Sequence, residues 1–345
     1  MDYINYAIKQ QPITGMTGFG GGAAGLQFYT SAAGAEAFRG DRGVEGFAGP
    51  ASSPYRTANI YYHNIASLGN ASYFGALSQS RSYGQSTSGG GGAEQSTREV
   101  FGSGFSSPSS PYNSNVLDYV TIANTGNATD FGDLNYESAN PGGTCSNGAR
   151  GIFANGFSSL VTYAPTGKID YFEIATPSNA TAFGDYGSGA GTYGQYNGSA
   201  SGSDKGRGLI GGTGGPQHQY IWYVQIDTAA NANGFGSLTQ QRTTLGSCGD
   251  GERCVWAGNE SYGTIDYVTM ATTGSATDFG DMDVPADYSG ATSNDTRGTI
   301  MGGSSPSSPN RTNRIEYITI QTTGNGADFG NLPGDYNIGN AGSGD

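Results

Sequence analysis

Positive charge is scarce in this chain of 345 residues, with 15 Lys and Arg against 28 Asp and Glu and a net charge of −13. Such a surface repels phosphate backbones and anionic headgroups, so neither nucleic acid nor membrane insertion is expected. Lysine stands only at Lys9, Lys168 and Lys205, and histidine only at His63 and His218. Neither histidine lies in a close His/Cys/Asp group in the sequence, which leaves a zinc site or a Ser-His-Asp triad without support. Three cysteines, Cys145, Cys248 and Cys254, cannot all pair within one chain, so no disulfide framework is expected. Only "CGDGERC" places two of them, Cys248 and Cys254, close enough to close a short loop. No stretch approaches the roughly 18 apolar residues of a spanning helix. The opening "MDYINYAIKQQPITG" has neither the basic segment nor the apolar core of a secretory signal.

Glycine and tyrosine are abundant instead, at 61 and 23 residues. Glycine is thus about 18% of the chain (61/345) against a norm of roughly 7%. No G-X-Y period accompanies it, which excludes collagen. Low charge with 12% aromatics also argues against disorder. Many short strands joined by Gly-rich turns fit this composition.

One pattern recurs along the chain in three segments. The first is an Arg, a short apolar run and Gly, as in "RGIFANG" at 150, "RGLIGG" at 207 and "RGTIMGG" at 297. The second is "LDYVTI" at 117, with relatives "IDYFEI" at 169 and "IEYITI" at 315. The third is "ATDFGDL" at 128, with "ATDFGDM" at 276 and "GADFGNL" at 326. The central tyrosines of the second segment are Tyr3, Tyr62, Tyr119, Tyr171, Tyr223, Tyr267 and Tyr317, spaced by 59, 57, 52, 52, 44 and 50 residues. A period near 50 in β-branched and aromatic segments matches one four-stranded propeller blade. The three segments are assigned to strands 2, 3 and 4, and strand 1 to the variable stretch before each Arg. The phenylalanines of the third segment, Phe131, Phe183, Phe235, Phe279 and Phe329, are expected to pack one blade on the next. Seven tyrosine markers predict an all-β, single-domain propeller of seven blades. Their approximate bounds are 20–77, 78–134, 135–186, 187–238, 239–282, 283–332, and a composite of 333–345 with 1–19. In that composite, residues 336–342 are expected beside Asp2–Tyr6.

The order Gly-Gly, Tyr-bearing strand, aromatic-bearing strand resembles kelch-type β-propellers, with Phe in the place of the family's Trp. The wording "IDYxTIATTGNATDFGDL … C-S-x-x-T-R-G-x-x-G-G" is also similar to repeats in structural proteins of marine tailed bacteriophages, cyanophages especially. That resemblance implies a virion protein, assembled in the host cytoplasm, whose partners are other virion proteins or a host-surface polysaccharide.

Several motifs suggest chemistry and read better as architecture. Asp-Phe-Gly at Asp130, Asp278 and Asp328 occurs three times and lacks the lysine strand and catalytic loop of a kinase. "RGD" at 39–41 sits in the turn before strand 2. The N-x-[ST] sequons at Asn70, Asn127 and Asn179 are the repeat's own strand 3–4 turn, and those at Asn197, Asn259, Asn294 and Asn310 are also read as turns. The acidic turns 249–252 and 293–295 lack the spacing of a dedicated calcium loop. Arg42, Arg98, Arg150, Arg207, Arg253 and Arg297 hold one repeat position and are expected to pair with carboxylates or carbonyls between blades, with Asp130 and Asp278 as candidates.

In a four-stranded blade the 2–3 loops and 4–1 connections leave on one face. Here they are long and rich in Tyr, Ser, Gly and Asn, a composition suited to adaptable recognition. Candidate contact residues are Tyr55, Tyr83 beside Gly84, Tyr112, Tyr193, Tyr196 and Asn310. Two classes of function remain: a non-enzymatic structural or adhesion module, such as a tail-fibre or capsid-decorating protein, and a propeller enzyme acting on glycans. The enzyme should converge two unique carboxylates roughly 5–10 Å apart near the axis, and the sequence offers no such pair. The expectation is therefore a binding module with no cofactor, no metal and no catalytic residues; an intracellular scaffold is the remaining alternative.

Overall fold

The computed structural model describes residues 40–47, 56–89, 97–106, 112–139, 142–158, 164–165, 167–186, 204, 206–213, 219–242, 244–258, 263–305, 312–336 and 341–344. The chain divides into two compact units, Met1–Ala37 and Phe38–Asp345, and every described residue belongs to the second. Among the described residues there is no helix. Six antiparallel sheets follow one another as the blades of a β-propeller.

Blade 2 runs from axis to rim as Gln85–Gly89, Arg98–Gly102, Ser114–Thr121 and Thr129–Ser138. Blade 3 is Gly143–Ser146, Arg150–Ala154, Lys168–Glu173 and Thr181–Asp185. Blade 4 shows Arg207–Thr213, Tyr220–Gln225 and Asn233–Ser237. Blade 5 is Gly246–Gly249, Arg253–Ala257, Thr264–Thr269 and Thr277–Asp281, and blade 6 is Gly290–Ser293, Arg297–Met301, Thr312–Thr319 and Ala327–Tyr336. Blade 1 takes Arg42–Gly46, Thr57–Asn64 and Ser72–Arg81 from the start of the ring and its inner strand, Ala341–Gly344, from the end of the chain.

This corrects the expected count from seven blades to six. The C-terminal strand does not build a further blade. It pairs antiparallel with the strand of Arg42, from Gly43 opposite Gly344 to Gly46 opposite Ala341. It therefore fills the inner place of blade 1, not the strand 2 place of a seventh blade. The physical reason lies in composition. Inner strands are made of small residues, "GTCS", "GSCG" and "GATS" in blades 3, 5 and 6, and "AGSG" at 341–344 is of the same kind. Small side chains let inner strands crowd around the axis, where Thr144 Oγ1 donates to the Ser86 carbonyl at 2.6 Å and Ser293 Oγ to that of Gly249 at 2.7 Å. The Tyr3 marker and the expected pairing at Asp2–Tyr6 lie outside the described residues.

The ring is closed by a repeated device. Each repeat arginine donates to a backbone carbonyl of the next blade: Arg42 to Ile122 at 2.8 Å, Arg98 to Ile174 at 3.0 Å and Arg150 to Ile226 at 3.1 Å. Arg207 reaches Met270 at 2.8 Å, Arg253 reaches Ile320 at 3.0 Å, and Arg297 of blade 6 returns to Ile65 of blade 1 at 2.9 Å. Across these seams the acceptors are carbonyls, not the carboxylates of Asp130 and Asp278, while within blade 3 Arg150 also pairs with the Glu173 carboxylate at 3.0 Å. Every one of these guanidinium groups also lies over the marker tyrosine of its own blade, from Arg150 on Tyr171 at 4.3 Å to Arg42 on Tyr62 at 5.0 Å. Tyr62, Tyr119, Tyr171, Tyr223, Tyr267 and Tyr317 are in turn edge-to-face with the phenylalanines of the outer strands, at 5.9–6.3 Å. Arg, Tyr and Phe of a blade thus stack as one column, held by cation–π and aromatic contact.

The Asp-Phe-Gly triplet is part of this architecture. Phe131, Phe183, Phe235, Phe279 and Phe329 are 2–4% exposed, while Asp130, Asp278 and Asp328 face solvent. The following Gly lies against the backbone of the next blade's strand 3–4 turn. A Cβ at Gly75 would stand 1.9 Å from the Gly126 carbonyl oxygen, and one at Gly236 would stand 2.0 Å from that of Gly274. The turn's Asn completes the joint, since Asn127 and Asn179 accept from the backbone N–H of Ala76 and Asp133 in the preceding blade, at 3.2 and 3.1 Å. Asn70 does the same for Asn331 at 2.9 Å. The sequons at these three positions are therefore inter-blade latches.

All three cysteines are buried. Cys248 lies opposite Val255 and Cys254 opposite Gly249, so the two thiols sit one residue out of register and project to opposite faces of the sheet. Burial pushes the Cys145 thiol up to about 12. We expect no labelling by a thiol reagent at about pH 8 in the native protein and all three cysteines to react in denaturant, because the thiolate is the reactive form. Native labelling of even one cysteine within minutes would contradict this packing.

Candidate functional site

The face that carries the 2–3 loops and 4–1 connections is organised around the connections. Ser82, leaving blade 1, exchanges two backbone hydrogen bonds with Phe105 in the 2–3 loop of blade 2, at 2.7 and 3.1 Å. Asp287, leaving blade 5, does the same with Ser304 in the loop of blade 6, at 2.7 and 2.8 Å. The second Gly of the "RGxxGG" segment makes this approach possible. Gly303 has φ +110°, and a Cβ there would stand 2.5 Å from the Asp287 carbonyl oxygen.

The residue after each of these bridges, just before the inner strand, is left-handed. Tyr83 has φ 59° and Tyr288 φ 58°, and Thr244 in the connection from blade 4 to blade 5 has φ 62°. Bulky residues rarely hold this conformation, and where they do, the surrounding structure imposes it, often at a functional site. The two tyrosine rings meet edge-to-face at 5.1 Å although blade 1 separates their strands, and Tyr83 also meets Phe105 at 5.6 Å. All three rings are half-buried. The Tyr288 N–H donates to the Thr244 carbonyl at 2.8 Å, and Thr244 Oγ1 donates to Asp287 at 3.0 Å, so adjacent connections brace one another.

Buried acids on the third strands fix these connections from below. Asp118 accepts from Arg81 Nη2 at 2.5 Å, and Arg81 Nη1 also donates to the carbonyls of Ser103 and Val116. Asp266 accepts from Arg242 at 2.5 Å and from Thr239 Oγ1 at 2.7 Å. Both ion pairs have side chains at 0% exposure. Burial pulls the Arg81 and Arg242 guanidinium groups below their ordinary value, and the facing carboxylates oppose that shift. Asp170 holds the connection from blade 2 to blade 3 through Asn135 and Asn155, at 2.9 Å each. Glu316 accepts from the N–H groups of Asp283 and Val284 at 2.8 and 2.7 Å. Burial raises the Glu316 carboxyl, and these two hydrogen bonds and Arg314 pull it back.

Of the residues expected on this face, Tyr83 and Tyr112 are described. Tyr112 accepts from the Ser106 N–H at 2.9 Å, across the same loop that presents Phe105. Gly84 packs beneath, where a Cβ would meet Phe47 at 2.4 Å. Tyr55, Tyr193, Tyr196 and Asn310 lie outside the described residues. Tyr288 and Phe105 were not singled out in the sequence; the parallel between "RSYGQS" and "ADYSGA" before two inner strands is the signal that points to Tyr288. The buried acids had a signal too, an Asp or Glu directly before the marker tyrosines Tyr119, Tyr171, Tyr267 and Tyr317 inside an otherwise apolar strand.

The remaining motif residues are engaged elsewhere. Asp41 of the "RGD" accepts from Asn294 Nδ2 at 2.9 Å, and Arg39 lies outside the described residues. Asp250 and Asn294 cap their own turns by accepting from the N–H groups of Arg253 and Arg297, at 2.8 and 2.7 Å. Among the described residues no three His, Cys, Asp or Glu side chains converge as a metal site would require. His63, read from sequence as isolated, is instead hydrogen-bonded to Glu45 and Thr299, because strand pairing and the blade seam bring together residues 18 and 236 positions away. No protein-family model and no curated protein matches the chain.

Proposed function

We propose that this propeller is a non-enzymatic recognition module whose working surface is the face of the 2–3 loops and 4–1 connections. The observation that carries the reading is the pair Tyr83 and Tyr288, held in left-handed backbone and in ring contact between the connections of two different blades. Tyrosines so fixed offer large, amphipathic area at little cost in side-chain entropy. A tyrosine platform on a face whose loop sequences are rich in Ser, Gly and Asn suits the apolar face of a sugar ring with its hydroxyl rim, or a loop of a neighbouring protein. The resemblance of the repeats to kelch-type propellers and to phage structural proteins supports reading the module as a virion protein in contact with other virion proteins or a host-surface glycan.

Two measurements test this. On a glycan array, the wild type should bind a defined subset of glycans, and Tyr83→Ala with Tyr288→Ala should lose that binding at unchanged thermal stability. The bound glycans should survive prolonged incubation intact. Release of reducing ends would convert the module into an enzyme and defeat the reading. So would glycan binding that is indifferent to both substitutions.

A further inference from the structure

Every seam between neighbouring blades uses three matched positions. One is the third residue of the second strand of a blade, and two lie on the second and third strands of the next. Val44 meets Phe101 and Val120 in this way, and Leu209 meets Trp256 and Val268. At the seams from blade 2 to 3, 3 to 4 and 5 to 6, the three positions are Val, Ile or Phe throughout.

The seam from blade 6 to blade 1 departs from this at all three positions at once. There the residues are Thr299, Glu45 and His63, all buried. His63 Nδ1 lies 3.1 Å from Glu45 Oε1, and His63 Nε2 lies 3.0 Å from Thr299 Oγ1. Thr299 Oγ1 also stands 3.4 Å from the Thr292 carbonyl oxygen. Carboxylate, imidazole and hydroxyl follow the order of a hydrolase triad, but at 0% exposure Thr299 meets no substrate.

Stability does not explain the chain. Buried polar groups lose hydration, and replacing them with packed apolar residues is often neutral or stabilising. Glu45 Oε2 is buried without a hydrogen-bond partner, so even the native seam is incompletely satisfied. Selectivity does explain it. Six blades with near-identical edges can join in the wrong order, and apolar seams tolerate imperfect partners. A blade edge carrying Glu45 and His63 does not: the two still meet each other within blade 1, but against Val44, Val100 or Val255 His63 Nε2 would be buried without the partner that Thr299 supplies.

We propose that Glu45, His63 and Thr299 form a closure code: they make blade 1 accept blade 6 and reject every other blade edge, and so fix the ring at six. The test compares refolding of the wild type with that of the triple variant Glu45→Ile, His63→Val, Thr299→Val, over a wide range of protein concentration. Light scattering after size exclusion gives the species, and limited proteolysis detects an expelled blade. The wild type should return to one species. The triple variant should keep its β signal and thermal midpoint but show several-fold more misassembled material, rising with concentration. His63→Val alone should lower the midpoint, because Glu45 and Thr299 lose their shared partner. A triple variant that refolds to the wild-type species at every concentration overturns the proposal. So does a triple variant whose midpoint falls as far as that of His63→Val, since the chain would then serve stability. Should the triple variant not fold, Thr299→Val removes only the cross-blade bond, and it must by itself raise the misassembled fraction; no rise overturns the proposal.

Discussion

Asp118→Ala should lower the unfolding free energy by about 3–5 kcal/mol, the range found when one partner of a buried ion pair is removed. The substitution leaves the Arg81 guanidinium at 0% exposure without its carboxylate. The two carbonyl acceptors, Ser103 and Val116, remain but carry no compensating charge. Changing both residues together, Arg81→Met with Asp118→Leu, should recover most of the loss, because the cost comes from an orphaned charge and not from the pair's absence. Equilibrium denaturation of the two variants decides. A loss under about 1 kcal/mol for Asp118→Ala, the range of an exposed pair, would mean that water reaches Arg81. The same variant should weaken the proposed glycan binding, since Arg81 stands two residues before Tyr83.

Phe131→Ala should cost a similar amount, about 3–5 kcal/mol. Phe131 is 2% exposed and touches Tyr119 of its own blade at 5.9 Å and Phe172 of the next at 5.1 Å. Deletion of the ring breaks the Arg98–Tyr119–Phe131 column and opens the seam to blade 3. Its neighbour Asp130 supplies an internal control. Asp130 is exposed, and Asp130→Ala should stay within about 0.5 kcal/mol. Comparable losses at the two positions would show that the triplet's acid carries structural weight that the geometry does not assign to it.

The marker tyrosines reveal the blades because their environment repeats: each lies between its arginine and its phenylalanine, so the spacing of one residue type reports the period. Counting fails where the period has no such anchor. Inner strands such as "GTCS" and "GATS" carry no large side chain and no alternation, so 341–344 could not be recognised as the missing inner strand of blade 1. Tyr3 added a marker without a described blade. At the candidate site, Tyr83 and Tyr112 were legible from loop composition. Phe105 was not, because its value lies in a backbone bridge to Ser82. The Glu45, His63 and Thr299 chain was hidden for a further reason. Its members are ordinary in their own strands and unusual only when the same position is compared across six seams.

The ladder between Arg42–Gly46 and Ala341–Gly344 also has a mechanical meaning. Because the two strands run antiparallel with Gly43 opposite Gly344, the chain enters and leaves this ladder at the same end. Tension applied across the two strands would load the Gly43–Gly344 rung first and then the next in turn, peeling the ladder instead of shearing it. Bonds broken in sequence resist far less force than bonds broken together. The ring should therefore withstand a load borne through its loop face, yet open at low force when pulled between its own two ends.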